Sequence, residues 1–295
     1  MNKKKVIEIK NLTKYYGKIK GVENLNLDLL EGEVFGFIGP NGAGKSTTIR
    51  AIMNLINKTN GKVIINGNEF DKNNLKIKEN IGYLPSEINL YDDLTVKEIL
   101  DYHEGFYKKN ISKRRKELLE KLNLDERKKI EDLSLGNLKK LGIILAFVHE
   151  PKILILDEPT SGLDPIMQNV FYDLLKEEKK KGTTILYSTH VLTEVSKICD
   201  RVGIIRNGNM IKIDKIENIT KNNLVYVTIT SNDINEIIDD LKIETIYKNG
   251  NTIKFKNNIL HDKLIKKLAK YKIEKILIEE PTLEDIFIHY YEKEV

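Results

Sequence analysis

The chain has 295 residues, of which 40% are hydrophobic and 32% are charged, and its formal net charge is +5. This length suits one large domain plus a smaller one, and the composition is that of a globular protein with a sizeable core. The charge excess is small and the two signs are interspersed along the chain, which argues against a nucleic-acid-binding surface.

One cysteine, Cys199, excludes an internal disulfide and a cysteine-based metal cluster, and its helical surroundings indicate a packing role. The basic start "MNKKKVIEIK" lacks the apolar stretch of a signal peptide. The longest apolar run, 141–148, is far shorter than the ~20 residues of a membrane span. We therefore expect a cytosolic chain that reaches a membrane only through another component.

The first elements in chain order are strand patterns and one helix. Residues 6–12 predict a strand, and the apolar run 33–39 predicts another that ends in a glycine-rich loop. The segment "KSTTIRAIMNLI" that follows has helical character, and 61–70 predicts a hairpin that turns at Asn66-Gly67.

The middle of the chain differs in composition. Residues 85 to about 130 are rich in Lys and Glu with helical spacing, and Thr95 followed by Glu98 has the form of a capping box. We interpret this part as a helical insertion between sheet elements, with a helical subdomain bounded at about 85–140.

Further strands are predicted at 152–157 and 183–189, and a hairpin at 202–213. These strands are apolar with little alternation, and helical patterns separate them. A buried parallel sheet of the α/β class has this pattern.

The last part, from about residue 222, changes pattern again. Strand and helix signals follow in the order β-α-β-β-α-β, with a hairpin at Asn249-Gly250, which is the ferredoxin-like arrangement. A final helix is predicted after Pro281. No titratable cluster marks this part, so an interaction or packing role is expected.

The segment "GPNGAGKST", 39–47, fits the phosphate-binding pattern G-x-x-x-x-G-K-[ST], with a strand before it and a helix after it. Its glycines allow backbone N–H groups to wrap a phosphate chain. Lys45 then reaches the β- and γ-phosphates, and the Ser46 hydroxyl can ligate Mg²⁺. The complete set of predicted phosphate-binding positions is Gly39, Pro40, Asn41, Gly42, Ala43, Gly44, Lys45, Ser46 and Thr47.

Two acidic residues end the strand at 152–157. Asp157 lies at the carboxyl end, where ligands bind in such sheets, and can hold the Mg²⁺ hydration shell. Glu158 is placed to orient or deprotonate a water that attacks the γ-phosphate. His190, at the end of the strand 183–189, is a candidate γ-phosphate contact. No role is assigned to the other histidines, which are His103, His149, His261 and His289.

The segments "GPNGAGKST", "LSLGN", "LILDEPTSGLDP" and "STH", in that order and spacing, resemble the ATP-binding subunit of an ABC transporter over residues 4 to about 218. The resemblance is to ATPases of ABC-2 exporters in particular, some of which give bacteria resistance to peptide antibiotics. It implies a P-loop NTPase cassette with a mixed sheet and a helical subdomain over 1–218. A small α+β ferredoxin-like domain over 222–295 is expected to follow, because such ATPases commonly end similarly to "EPTLEDIFIHYYE".

The same resemblance implies roles and partners. Tyr16 falls where the family stacks an aromatic ring on adenine, with Tyr15 as the alternative by spacing. Ser134 and Gly136 fall on the family signature, which caps the ATP held by the other subunit of a head-to-tail homodimer. ATP and Mg²⁺ are thus the expected ligands, and a separate integral membrane permease, docked on the helical insertion, is the expected partner. That partner would place the chain on the inner face of the cell membrane.

Two positions depart from the family pattern. The third and fifth signature residues are Leu135 and Asn137 instead of Gly and Gln, so the backbone at Leu135 must not require glycine. Ser86 replaces the usual Gln that follows Leu-Pro. Its hydroxyl is shorter than a Gln amide, so its contact with Mg²⁺ or the attacking water would run through a second water.

Two other classes of protein share some of these features. A soluble ATPase of the same superfamily, acting in DNA repair or translation, usually carries long coiled-coil insertions or two cassettes, and neither is visible here. A P-loop kinase or switch GTPase does not explain "LSLGN" or "DEPTSGLD". The sequence therefore favours an ATP-hydrolysing transporter subunit, with the paired acids at the centre of its chemistry.

Overall fold

The computed structural model describes residues 4–71, 74–107, 109–220, 225–257 and 261–280. The chain folds into two compact units, 1–216 and 217–295. The predicted functional domains, a cassette over 1–218 and an accessory domain over 222–295, stay a prediction. Among the described residues, no helix combines the length and the apolar character that a membrane crossing needs.

The strands of the first unit form a parallel-dominated central sheet and an antiparallel sheet. In chain order they are β1 (Lys5–Tyr16), β2 (Ile19–Leu30), β3 (Val34–Ile38), β4 (Asn60–Ile65), β5 (Asn68–Glu69), β6 (Ile81–Leu84), β7 (Ile153–Asp157), β8 (Thr184–Thr189), β9 (Arg201–Arg206) and β10 (Asn209–Lys215).

The helices described for the chain up to residue 220 vary from five to sixteen residues. They are α1 (Lys45–Ile52), α2 (Val96–Glu104), α3 (Ser112–Lys121), α4 (Leu135–Phe147), α5 (Pro165–Lys180), α6 (Leu192–Ile198) and α7 (Ile216–Thr220), and short 3₁₀ helices span Leu75–Asn80 and Ile130–Asp132.

The central sheet has the strand order β10-β9-β3-β8-β7-β6. All its described neighbours pair in parallel except β9 and β10, which form the predicted antiparallel hairpin. Every residue of β3, β7 and β8 is buried. Strands covered on both faces need no polar alternation, which explains their apolar runs.

The antiparallel sheet has the order β2-β1-β4-β5, and β4 and β5 turn at the predicted Asn66-Gly67 pair, where both residues have positive φ. Helix α1 packs between the two sheets, because Ile49 and Ile52 share one core with residues of both. This packing fixes the start of α1 at the carboxyl end of β3.

The helical insertion is present, and its capping box is confirmed. Thr95 Oγ1 accepts the N–H of Glu98 at 3.2 Å, and the Glu98 carboxylate accepts the N–H of Thr95 at 2.8 Å. Helix α3 is attached to α5 by the buried Arg114, whose guanidinium lies 2.9 Å from the Glu178 carboxylate. Helix α4 then runs back to β7.

The second unit has the predicted ferredoxin-like order. Its elements are β11 (Val225–Ser231), α8 (Ile234–Leu241), β12 (Thr245–Asn249), β13 (Thr252–Asn257), α9 (His261–Leu268) and β14 (Ile273–Glu279). The strands pair antiparallel in the order β12-β13-β11-β14, and the core contains Val227, Phe255 and Leu264 from strands and helix. The helix predicted after Pro281 lies outside the described residues.

Candidate nucleotide site

The loop 39–47 joins β3 to α1 and is held by two close backbone approaches. A Cβ on Gly39 would lie 2.4 Å from the carbonyl oxygen of Ile205, and Gly44, with φ of 107°, would place one 2.7 Å from the carbonyl oxygen of Gly21. At Gly39 there is no space for a side chain, and at Gly44 the space is also missing and the backbone is in addition left-handed, so only glycine fits either position. The first N–H groups of α1 therefore open toward a ligand at a helix N-terminus.

Lys45 is buried beneath this loop, with 6% of its surface exposed. Its Nζ donates to the carbonyl oxygens of Gly39 at 2.7 Å and Pro40 at 3.3 Å. The same atom lies 3.3 Å from Glu158 Oε1. The loop thus has a cation whose position is set by its own backbone.

Asp157 is the last residue of β7 and is 1% exposed, and its Oδ1 has no hydrogen-bond partner among the described residues. A buried carboxylate oxygen without a donor is costly, and a hydrated divalent cation would satisfy it. Ser46, in the cleft wall at the second position of α1, supplies the hydroxyl that such a cation takes from this loop. The residues present therefore fit Mg²⁺.

Glu158 and His190 follow neighbouring strands, β7 and β8, and their side chains meet. His190 Nδ1 lies 2.9 Å from Glu158 Oε2, while Glu158 Oε1 faces Lys45. The Glu158 carboxylate is largely covered, whereas His190 is half exposed. The predicted catalytic residues are thus brought into one contiguous chain of side chains.

A cleft of about 410 Å³ lies over the loop and contains most of the predicted positions. Tyr16 forms one wall with 44% of its surface exposed, whereas the Tyr15 hydroxyl donates to Glu23 at 2.7 Å. The geometry thus favours Tyr16 over Tyr15 as the ring available to a base. The cleft is lined by Tyr16, Ile19, Lys20, Gly21, Asn41, Gly42, Ala43, Gly44, Lys45, Ser46, Thr47, Ser86 and Glu158.

Ser134 and Gly136 are not among the residues that line this cleft. Ser134 is the exposed N-cap of α4, and its Oγ accepts the N–H of Asn137 at 3.4 Å. Leu135 is the first residue of that helix and is absent from the residues with positive φ, so the expectation that its backbone does not need glycine is confirmed. The chain therefore has a second exposed helix start apart from the first.

Two buried residues near the site escaped the sequence prediction. Lys139 Nζ donates to the carbonyl oxygens of Ser86 and Glu158, and the Glu194 carboxylate accepts from four hydroxyl groups around it. A lysine on an apolar helix and an acid four residues after His190 were the available signals, but neither pattern is specific alone.

These features define a P-loop nucleotide-binding protein: parallel strands, a glycine-rich phosphate loop, a buried lysine and paired acids at one edge of the sheet. The family model described as "ABC transporter" matches residues 22–161, and that described as "ATP-binding protein DrrA1-3-like, C-terminal domain" matches 212–291.

One curated relative extends the match to nearly the whole chain. The bacitracin transport ATP-binding protein BcrA of Bacillus licheniformis is 35% identical over 300 residues, which is 96% of each chain. The linearmycin resistance ATP-binding protein LnrL of Bacillus subtilis is 40% identical over 213 residues, 70% of this chain and 68% of LnrL.

Solved structures agree. The dimeric structure of MJ0796, a bacterial ABC transporter cassette, superposes with a TM-score of 0.65 at 29% identity, covering 71% of this chain and 98% of MJ0796. Its post-hydrolysis dimer with ADP and Pi gives the same TM-score and coverage at 27% identity. The chain belongs to the ABC transporter ATP-binding family. It is an ATPase subunit of a transporter, and the relatives give no support to a role in DNA repair or translation.

Proposed function

We propose that the chain hydrolyses MgATP at the cleft over the loop 39–47 and so drives a separate membrane permease, most simply an exporter. Lys45 holds the β- and γ-phosphates, Glu158 acts on the attacking water, and His190 contacts the γ-phosphate. The contiguous set of Lys45, Glu158 and His190 at the mouth of the P-loop is the observation that carries this proposal.

The nucleotide contacts follow from the walls of the cleft. Tyr16 stacks on the adenine, and the N–H groups of Gly39 to Thr47 surround the phosphates. Ser46 and the buried Asp157 would hold Mg²⁺, and Ser86 would reach it through a water. When bound, the ion neutralises charge on the phosphate oxygens.

Two copies of the chain are proposed to pair head to tail, with Ser134 and Gly136 of one capping the γ-phosphate bound by the other. Support comes from the placement of Ser134, which is exposed and does not line the cleft of its own chain. The N–H groups of a helix start bind anions without help from side chains, so Leu135 leaves this contact possible. MJ0796, the similar cassette, is dimeric in its solved structures.

The permease is proposed to dock on the helical insertion at 85 to about 130 and to hold the chain on the inner face of the cell membrane. An exporter is favoured because BcrA and LnrL, whose names state bacitracin transport and linearmycin resistance, are similar over most of this chain. Residues 1–218 form the cassette and 222–295 an accessory domain in this proposal.

Glu158→Gln tests the site. The variant keeps the size of the side chain but removes the base, so we expect ATP to bind while hydrolysis slows by about a hundredfold or more. Size exclusion with MgATP should then show a stable dimer. A variant that stays monomeric with ATP and hydrolyses it at the wild-type rate would contradict the proposal.

Ser134→Arg tests the composite arrangement. An arginine at the exposed helix start should abolish the ATP-dependent dimer, measured in the Glu158→Gln background, and leave ATP binding to the monomer unchanged. Loss of binding to the monomer would mean that Ser134 acts on the nucleotide of its own chain.

A further inference from the structure

Lys139 is a buried cation with no part in the function proposed above. It lies on α4, five residues after Ser134, and 4% of its surface is exposed. Its Nζ donates to the carbonyl oxygen of Ser86 at 3.0 Å and to that of Glu158 at 3.2 Å. Burying an ammonium costs several kcal/mol unless polar partners replace its water, so these two carbonyls are what hold it in place.

The backbone at Glu158 needs such support. Its φ is 48°, in the left-handed region that is unfavourable for a residue other than glycine, and it precedes Pro159, which favours extended backbone instead. Its N–H donates to the carbonyl of Ser188 at 3.1 Å, and its carbonyl accepts from the N–H of Ser161 at 3.3 Å as well as from Lys139. The direction of the Glu158 peptide therefore depends on these contacts.

Helix α4 and the segment after β6 are in close contact one turn beyond Lys139. A Cβ on Gly142 would lie 2.3 Å from Ile88 Cδ1 and 2.8 Å from Leu84 Cδ1. Packing this tight leaves little room for the helix to move without moving the Ser86 segment.

We propose that Lys139 is a positioning residue for Glu158. Its ammonium, on α4, hydrogen-bonds the Glu158 peptide and the Ser86 segment, and these contacts set the position of the Glu158 carboxylate relative to the attacking water. This rests on the proposed function and deepens it. In the head-to-tail dimer, Ser134, the N-cap of α4, is the residue that caps the nucleotide of the partner subunit. The helix therefore connects that contact to the acid of its own site.

Lys139→Met tests the proposal, because methionine keeps the unbranched shape and removes the ammonium. We expect kcat for ATP hydrolysis to fall about tenfold or more while KM changes less than about threefold. In the Glu158→Gln background the ATP-dependent dimer should still form. Lys139→Arg, which restores donors and charge, should recover most of kcat.

Lys140→Met is the matched control. It removes an ammonium from the next residue of the same helix, one for which no hydrogen bond or ion pair with a described residue is found. Its kcat should stay within about twofold of the wild type.

A double-mutant cycle separates positioning from general damage. If Lys139 acts through Glu158, adding Lys139→Met to Glu158→Gln lowers the residual single-turnover rate by less than about twofold, whereas independent effects would multiply. Should Lys139→Met not fold, Lys139→Gln replaces it in every measurement.

A kcat of Lys139→Met close to that of the wild type, or multiplicative losses in the cycle, would overturn the proposal. Failure of the proposed function itself has a different signature. In that case the wild-type chain would not hydrolyse ATP and Glu158→Gln would not form an ATP-dependent dimer.

Discussion

Replacing His149 by glutamine should change how the free energy of unfolding depends on pH. The imidazole is buried where α4 ends, stacked on the Tyr107 ring at 4.3 Å and 5.9 Å from the His103 ring. Its Nε2 lies 3.3 Å from the carbonyl oxygen of Ile81, and its Nδ1 is buried without a hydrogen-bond partner among the described residues. A proton added at Nδ1 would therefore place a positive charge in a site that burial has largely stripped of water.

Burial, helped by the nearby His103, lowers the pKa of His149 from 6.5 to about 4. The folded pKa is below the unfolded one, so the unfolded chain binds more protons between these two values. The contribution of neutral His149 to the free energy of unfolding is fully present above the unfolded pKa, and it is lost as the pH falls through the folded pKa. At about pH 4.5 the loss attributable to this one residue is about 2.5 kcal/mol, taking 1.36 kcal/mol per pKa unit.

The assay is urea unfolding followed by far-UV circular dichroism, since the chain has no tryptophan. Glutamine keeps an N–H donor for the Ile81 carbonyl but does not titrate. The difference in unfolding free energy between wild type and His149→Gln should shift by about 2.5 kcal/mol in favour of the variant from about pH 7.5 to about pH 4.5. A difference that is constant across this range would refute the reasoning.

Three further outcomes concern the site. Tyr16→Ala should weaken ATP binding about tenfold, because the ring that stacks on the adenine is lost. Tyr15→Ala should change the ATP dissociation constant little, because the Tyr15 hydroxyl is bound to Glu23. Equal losses in the two variants would contradict the assignment of Tyr16 as the stacking ring. Gly136→Ala places a Cβ 2.9 Å from the Gly162 carbonyl oxygen, so the ATP-dependent dimer should be lost on size exclusion while monomer binding persists. Glu194→Gln replaces one of the two accepting carboxylate oxygens with an NH2 group, which cannot accept from the hydroxyls around it, and should lower kcat about tenfold with little change in KM; an unchanged kcat would count against it.

Much of the fold follows from local pattern. The apolar runs at β3, β7 and β8 were recognisable because a parallel sheet buries both faces, and the capping box of α2 is a signal within four residues. Strand β2 was missed: its alternating, asparagine-containing sequence becomes a strand through pairing with β1. The four residues of β6 likewise depend on β7 for their conformation.

The candidate site also has residues that the sequence predicts and residues that it does not. Its phosphate loop and paired acids were predictable because their chemistry requires particular residues at fixed spacing. Lys139 was not, because its partners are backbone carbonyls of Ser86 and Glu158, 53 and 19 residues away. Contacts to a carbonyl leave no side-chain pattern in the partner segment, so only the folded chain reveals them.

The leucine at the third signature position has a thermodynamic consequence. Leu135 is 71% exposed, and a Cβ on Gly162 would lie 3.4 Å from its side chain. Ile166, four residues after Gly162, is 72% exposed. In the proposed dimer such apolar surface is removed from water, which makes the heat capacity change of association more negative. Because hydrophobic association weakens on cooling, pairing of this chain should be more sensitive to cold than pairing through glycine at that position.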